Sequence, residues 1–111
     1  MSGKLLLAYG DRVGDGPKAD VFKALADPTR RAILDELQER NGQTLFELCT
    51  RLISRHGLGS TRQAVSQHLD VLEQAGLVVT RRQGRFKFHD VDLGPLRDAV
   101  RRWLPDPTID A

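Results

Sequence analysis

Apolar positions recur at helical spacing along most of this chain and change to a period of two near its end. Val21, Phe22 and Leu25 predict a short amphipathic helix over Asp20–Ala26. Asp27-Pro28 then predicts the start of a second. The aspartate accepts a backbone N–H at the N-cap, and proline at the first helical position has no hydrogen bond to lose. Ile33, Leu34 and Leu37 supply its apolar face, and Asn41-Gly42, which tolerate a left-handed cap, predict its end. Thr44-Leu45-Phe46-Glu47 is a capping-box pattern. Behind it Leu45, Leu48, Cys49 and Leu52 fall at i, i+3, i+4 and i+7, one stripe of a third helix that Ser54-Arg55-His56 extend. Gly57-Leu58-Gly59-Ser60 reads as a turn and Thr61 as the next N-cap. Val65, Leu69 and Leu72 carry a fourth helix inward, and Ala75-Gly76 closes it.

Past Gly76 the residues Leu77–Arg82 are β-prone, Gln83-Gly84 is a turn, and Arg85-Phe86-Lys87-Phe88-His89 alternates. Phe86 and Phe88 share one face and Arg85, Lys87 and His89 the other, which predicts a two-stranded hairpin with an apolar side and a basic side. Asp92 and Pro95 open a last helix whose stripe is Leu96, Val100, Trp103 and Leu104, and Pro105 and Pro107 stop it. Residues 1–17, punctuated by Gly10, Gly14, Gly16 and Pro17, read as a flexible arm. Within it, Leu5–Tyr9 is a frayed terminus, a short added strand or a partner contact. The expected division is an arm at 1–17, one domain at 18–104 and a tail at 105–111.

A length of 111 residues suits one small domain, and 40% hydrophobic with 29% charged residues is ordinary for a folded soluble chain. Lys and Arg number 17 against 15 Asp and Glu, a net charge of +2, so the placement of charge carries more information than its sum. The single cysteine excludes an internal disulfide, and the Leu5–Tyr9 run is too short for a signal segment or a membrane span. A cytoplasmic protein with no membrane contact is expected. No Gly-rich phosphate loop, nucleophile elbow or HExxH pattern occurs, so an enzyme is not expected.

Four helices, a two-stranded antiparallel hairpin and a last helix, in that order, describe a mainly α winged helix-turn-helix. Two stretches make the likeness specific. Val21-Phe22-Lys23-Ala24-Leu25-Ala26-Asp27-Pro28-Thr29-Arg30-Arg31-Ala32-Ile33-Leu34 resembles the opening of the ArsR-type (arsenical-repressor-like) bacterial regulators. Arg62-Gln63-Ala64-Val65-Ser66-Gln67-His68-Leu69-Asp70-Val71-Leu72-Glu73-Gln74-Ala75-Gly76-Leu77-Val78 resembles that family's recognition helix and its exit into the wing. The resemblance covers roughly residues 20–104 and implies a homodimeric transcriptional repressor that binds operator DNA.

Elementary chemistry agrees with that implication. On the helix over 61–75, Val65, Leu69 and Leu72 cluster on one arc, and Arg62, Gln63, Ser66, Gln67 and Asp70 on the other. Arginine pairs bidentately with guanine and glutamine with adenine, serine donates or accepts, and Thr61 leaves amides at the helix start where a phosphate can bind. A solvated polar face is the bland alternative. Asp70 stands where the family commonly carries a basic residue, and it either repels phosphate, accepts from cytosine or lies beyond the groove. In the wing over 81–87, Arg81, Arg82, Arg85 and Lys87 surround the tip, suited to phosphates or a narrow minor groove, or else to keeping a sheet edge from aggregating. His68 lies at the border of the packed and wet faces, as a packing residue or a DNA contact; His56 is expected at a helix end. Arg51 and Arg55, one turn apart, suit an extra phosphate contact or a solvated face.

Relatives in this family that sense metal use Cys-x-Cys on the third helix, or histidines with carboxylates on the last. Here Cys49 is present but Arg51 replaces the second cysteine, and Leu93–Leu104 holds Asp98 and no histidine. Zinc takes about four ligands, a set this chain does not assemble, so neither metal nor cofactor is expected. Cys49 on the apolar stripe reads as packing; a metal- or thiol-responsive sensor of the same fold using Cys49 is the alternative. The resemblance also implies dimerisation through the first and last helices, to which Phe22, Leu25, Leu96, Val100, Trp103 and Leu104 would contribute unless they are buried within one chain. A winged-helix module that binds protein, in place of double-stranded DNA, is the remaining reading.

Overall fold

The computed structural model describes residues 20–104; the arm, its Leu5–Tyr9 run and the tail expected from the sequence lie outside the described residues. The first helix, α1, is described over 20–25. Asp27 caps α2 (Pro28–Glu39) as its sequence predicts, its Oδ1 accepting from the amides of Thr29 at 2.8 Å and Arg30 at 3.1 Å. The helix stops at Glu39, short of the expected Asn41-Gly42 pair. That pair is used elsewhere: Asn41 Oδ1 accepts from the Val91 amide at 2.8 Å, and Gly42 turns at φ 73° beneath Arg81, whose Nη2 would lie 2.9 Å from an added Cβ.

Thr44 and Glu47 close the expected capping box on α3 (Leu45–His56), and Gly57 ends it at φ 67°. Thr61 Oγ1 accepts from the Ala64 amide at 3.0 Å to start α4 (Arg62–Gln74). Leu48, Leu52, Val65, Leu69 and Leu72 are buried together with Ile33 and Leu37, so the three predicted stripes meet in one core. Val21 and Ala24 of α1 and Ala99 of α5 (Gly94–Val100) are buried in the same core.

The wing pairs β1 (Val78–Gln83) with β2 (Phe86–Val91), from Val78 opposite Val91 to Gln83 opposite Phe86. Two expectations are corrected here. The turn is Gly84-Arg85, one residue later than expected, because glycine at φ 62° occupies the first central position, where a two-residue hairpin turn needs positive φ. The basic side of β2 also contains its buried residue. His89 is 5% exposed and Phe86 55%. The reason is tertiary. His89 exchanges backbone hydrogen bonds with Gln43, and its Nδ1 lies 2.9 Å from the Gln43 carbonyl, so the α2–α3 loop acts as a third, one-residue strand. Residues opposite one another share a face, which leaves Phe86, Phe88, Arg81 and Val79 on the far side.

The last expected helix is shorter than its stripe. α5 ends at Val100, and Trp103 and Leu104 lie in a turn held by amide bonds to the Val100 carbonyl at 2.9 and 3.2 Å.

Candidate nucleic-acid interface

The fourth helix has one wet side, and that side carries the hydrogen-bonding groups. Thr61, Arg62, Gln63 and Gln67 are exposed, Ser66 is half-buried, and Asp70 is exposed further along. The opposite side is anchored by Val65, Leu69 and Leu72, none more than 4% exposed. A helix held this firmly on one side presents the other as a fixed array. The thiol of Cys49, half-buried against the core, is pushed up by burial, with Arg62 partly offsetting the shift. A raised pKa keeps it protonated and less nucleophilic.

Between α4, the start of α3 and the wing runs a groove of about 320 Å³ whose lining includes Arg62, Ser66, Arg85 and Lys87. Arg82 and Arg85 are exposed at the wing tip and Lys87 is half-buried. Among the described residues these three and Arg62 make no ion pair. Arg81 differs: its Nε donates to Asp90 Oδ2 at 2.8 Å, and its guanidinium lies 5.4 Å from the Phe88 ring centroid. The groove also has an acidic end, with Asp70 and with Glu73, which accepts from the Thr80 hydroxyl at 3.2 Å.

His68 turns away from the wet face. Its Nδ1 lies 3.2 Å from Arg30 Nη1, and since a guanidinium can only donate, Nδ1 is the acceptor. The same Arg30 donates through Nε to the Ala24 carbonyl at 2.8 Å and through Nη2 to the Lys23 carbonyl at 3.2 Å. One side chain thus ties the end of α1 to the middle of the presented helix. Arg30→Ala is expected to cost about 2 kcal/mol, from the loss of charge-assisted bonds, measured by urea unfolding. Stability equal to wild type would show that these bonds contribute nothing net.

Arg51 and Arg55 face α2 and pair with its carboxylates. Arg51 donates to Glu36, Arg55 bonds Glu39 and lies 3.4 Å from Glu36, and His56 Nε2 is 3.3 Å from Glu36 Oε1. Gln43 Nε2 adds a bond to Glu36 Oε2 at 3.2 Å. Glu36 itself is 0% exposed. Neither Glu36 nor Arg30 stands out in the sequence. For Glu36 a signal exists, since it lies three residues past Ile33 on the buried stripe and faces arginines spaced i, i+4 on α3.

The proposed dimer residues divide. Leu25 and Leu96 pack on this chain's own core and Val100 is half-buried. Phe22, Trp103 and Leu104 are exposed by 42, 58 and 59%, with the two aromatic rings 6.4 Å apart.

Residues 25–81 match the model of a helix-turn-helix domain family. The chain is 49% identical over 90 residues to the uncharacterized HTH-type transcriptional regulator YuzN of Bacillus subtilis (strain 168), covering 81% of this chain and 98% of that one. It is 33% identical over 85 residues to the transcriptional repressor SdpR of the same organism, covering 77% and 86%. The solved structure of an ArsR-like transcriptional regulator from Rhodococcus sp. RHA1 superposes with a TM-score of 0.65 at 36% identity, over 78% of this chain and 76% of the other. This chain therefore belongs to the ArsR-type family of winged helix-turn-helix transcriptional regulators.

Proposed function

We propose that this regulator is a repressor that binds operator DNA as a homodimer, with α4 in the major groove and the wing on the flanking backbone. The observation that carries the reading is the α4 face itself, where Thr61, Arg62, Gln63, Ser66 and Gln67 stand outward on a helix whose other side is wholly packed. Arg82, Arg85 and Lys87 supply phosphate charge beside it. Arg81 and His68 support it less directly, since each is already held by a neighbour. The exposed Phe22, Trp103 and Leu104 favour a second copy, because reading two half-sites about one DNA turn apart calls for a symmetric pair. The name of the relative SdpR favours repression over activation.

Selection of bound fragments from genomic DNA, followed by footprinting, tests the whole reading. On the selected duplex, Arg85→Ala is expected to weaken binding to all sequences similarly and to lower the salt slope by about 1. Sedimentation of the free protein is expected to give a dimer. An unchanged slope would remove the wing from the interface, and a strictly monomeric species would remove the two-half-site scheme.

A further inference from the structure

Phe46 is the most exposed of the large apolar side chains among the described residues, at 66%, and it stands in the first turn of α3. Phe86, at 55%, stands instead on the wing face away from His89, its ring 6.3 Å from that of Phe88. Phe46 belongs neither to the core nor to an aromatic pair among the described residues. It lines the groove between α4 and the wing from the α3 side. The cations Arg62, Arg85 and Lys87 line the groove with it, and among the described residues none of the three has a carboxylate partner.

We infer that Phe46 is a DNA-contact residue that packs on a deoxyribose face of one strand of the duplex as it crosses this groove. The inference rests on the DNA-binding reading above. A nucleic-acid strand alternates an anionic phosphate with an apolar sugar face at every nucleotide. A groove that combines unpaired cations with an exposed phenyl ring offers the matching pair of chemistries. A protein partner would leave the cations uncompensated unless it were acidic there. Asp70 and Glu73, in the C-terminal half of α4, limit the strand to the N-terminal half that bears Arg62. The sugar contact carries no base information, so its contribution extends to every duplex.

The test uses full-length protein and a random-sequence duplex at low salt, read by fluorescence anisotropy. Phe46→Ser removes an exposed ring and is expected to keep the wild-type melting temperature. It is expected to bind about tenfold more weakly, the scale of losing the burial of part of a phenyl ring. The slope of affinity against salt stays that of wild type, because no charge is lost. Phe46→Leu retains most of the affinity. Ile53→Ser, which removes a side chain 57% exposed on α3 and not lining the groove, binds as wild type. A Phe46→Ser variant that binds as tightly as wild type overturns the inference while the DNA-binding reading stands. A loss that comes with a lower salt slope also overturns it, since the ring would then act through the cations. So does a loss of self-association with DNA affinity intact, which would assign the ring to a protein interface. A wild-type protein that binds no duplex fails earlier, at the DNA-binding reading itself.

Discussion

Glu36→Gln lowers the stability of the domain by about 3 kcal/mol and its melting temperature by about 15 °C. Removing one partner of a buried ion pair typically costs 3–5 kcal/mol, because the remaining charge is left buried without compensation. The lower figure applies here because Arg51 and Arg55 keep 23 and 45% of their side chains in water and can turn outward. Acid unfolding gives the same interaction a second readout. Burial alone would raise the Glu36 carboxyl, but hydrogen bonds from Arg51, Gln43 and His56 outweigh it and hold the pKa below the ordinary 4.5. A folded value below the unfolded one stabilises fully above the unfolded pKa, and that stability is lost as pH falls through the folded value. Wild type therefore loses stability from about pH 4.5 downward, and Glu36→Gln loses less over that range. Some slope remains, since burial at Asp27 is likewise outweighed by the amides of Arg30 and Thr29. Urea titrations across this range decide the matter. Parallel curves for the two proteins would mean that the Glu36 carboxylate contributes no net linkage.

Arg62→Ala reduces discrimination between the selected operator and random duplex by about 1–3 kcal/mol, about 5- to 150-fold in relative affinity. Arg62 is the first helical residue of α4, exposed and lining the groove, and a guanidinium there can take a guanine edge bidentately. Because the side chain is exposed, the thermal stability of the variant should match wild type within about 0.5 kcal/mol. The contrast with Arg85→Ala is the informative part: one variant loses preference, the other loses affinity for all sequences. Competition binding with the selected and a scrambled duplex measures both. Equal discrimination by Arg62→Ala and wild type would move the reading of bases to Gln63, Ser66 and Gln67.

Local chemistry made most of the scaffold legible. Asp27-Pro28, Thr44 with Glu47, Thr61 and the stripe Leu45, Leu48, Cys49, Leu52 each act through neighbours within four residues, so the chain carries the whole signal for those helix starts and faces. The outward set on α4 was legible for the same reason, because a 3.6-residue period assigns both sides of a helix at once. What the tertiary structure alone decided are the pairings between elements distant in sequence. Gln43 meets His89 across 46 residues and thereby sets which side of the wing is buried. Arg30 meets His68 across 38 residues and takes that histidine off the wet face. Glu36 gathers Arg51, Arg55 and His56 from the next helix, so two arginines that suited phosphate became internal ties. A charged or aromatic side chain has the same local pattern whether its partner is water, DNA or a buried carboxylate. Long-range packing selects among them, because leaving a buried charge unpaired costs more than any local preference can return.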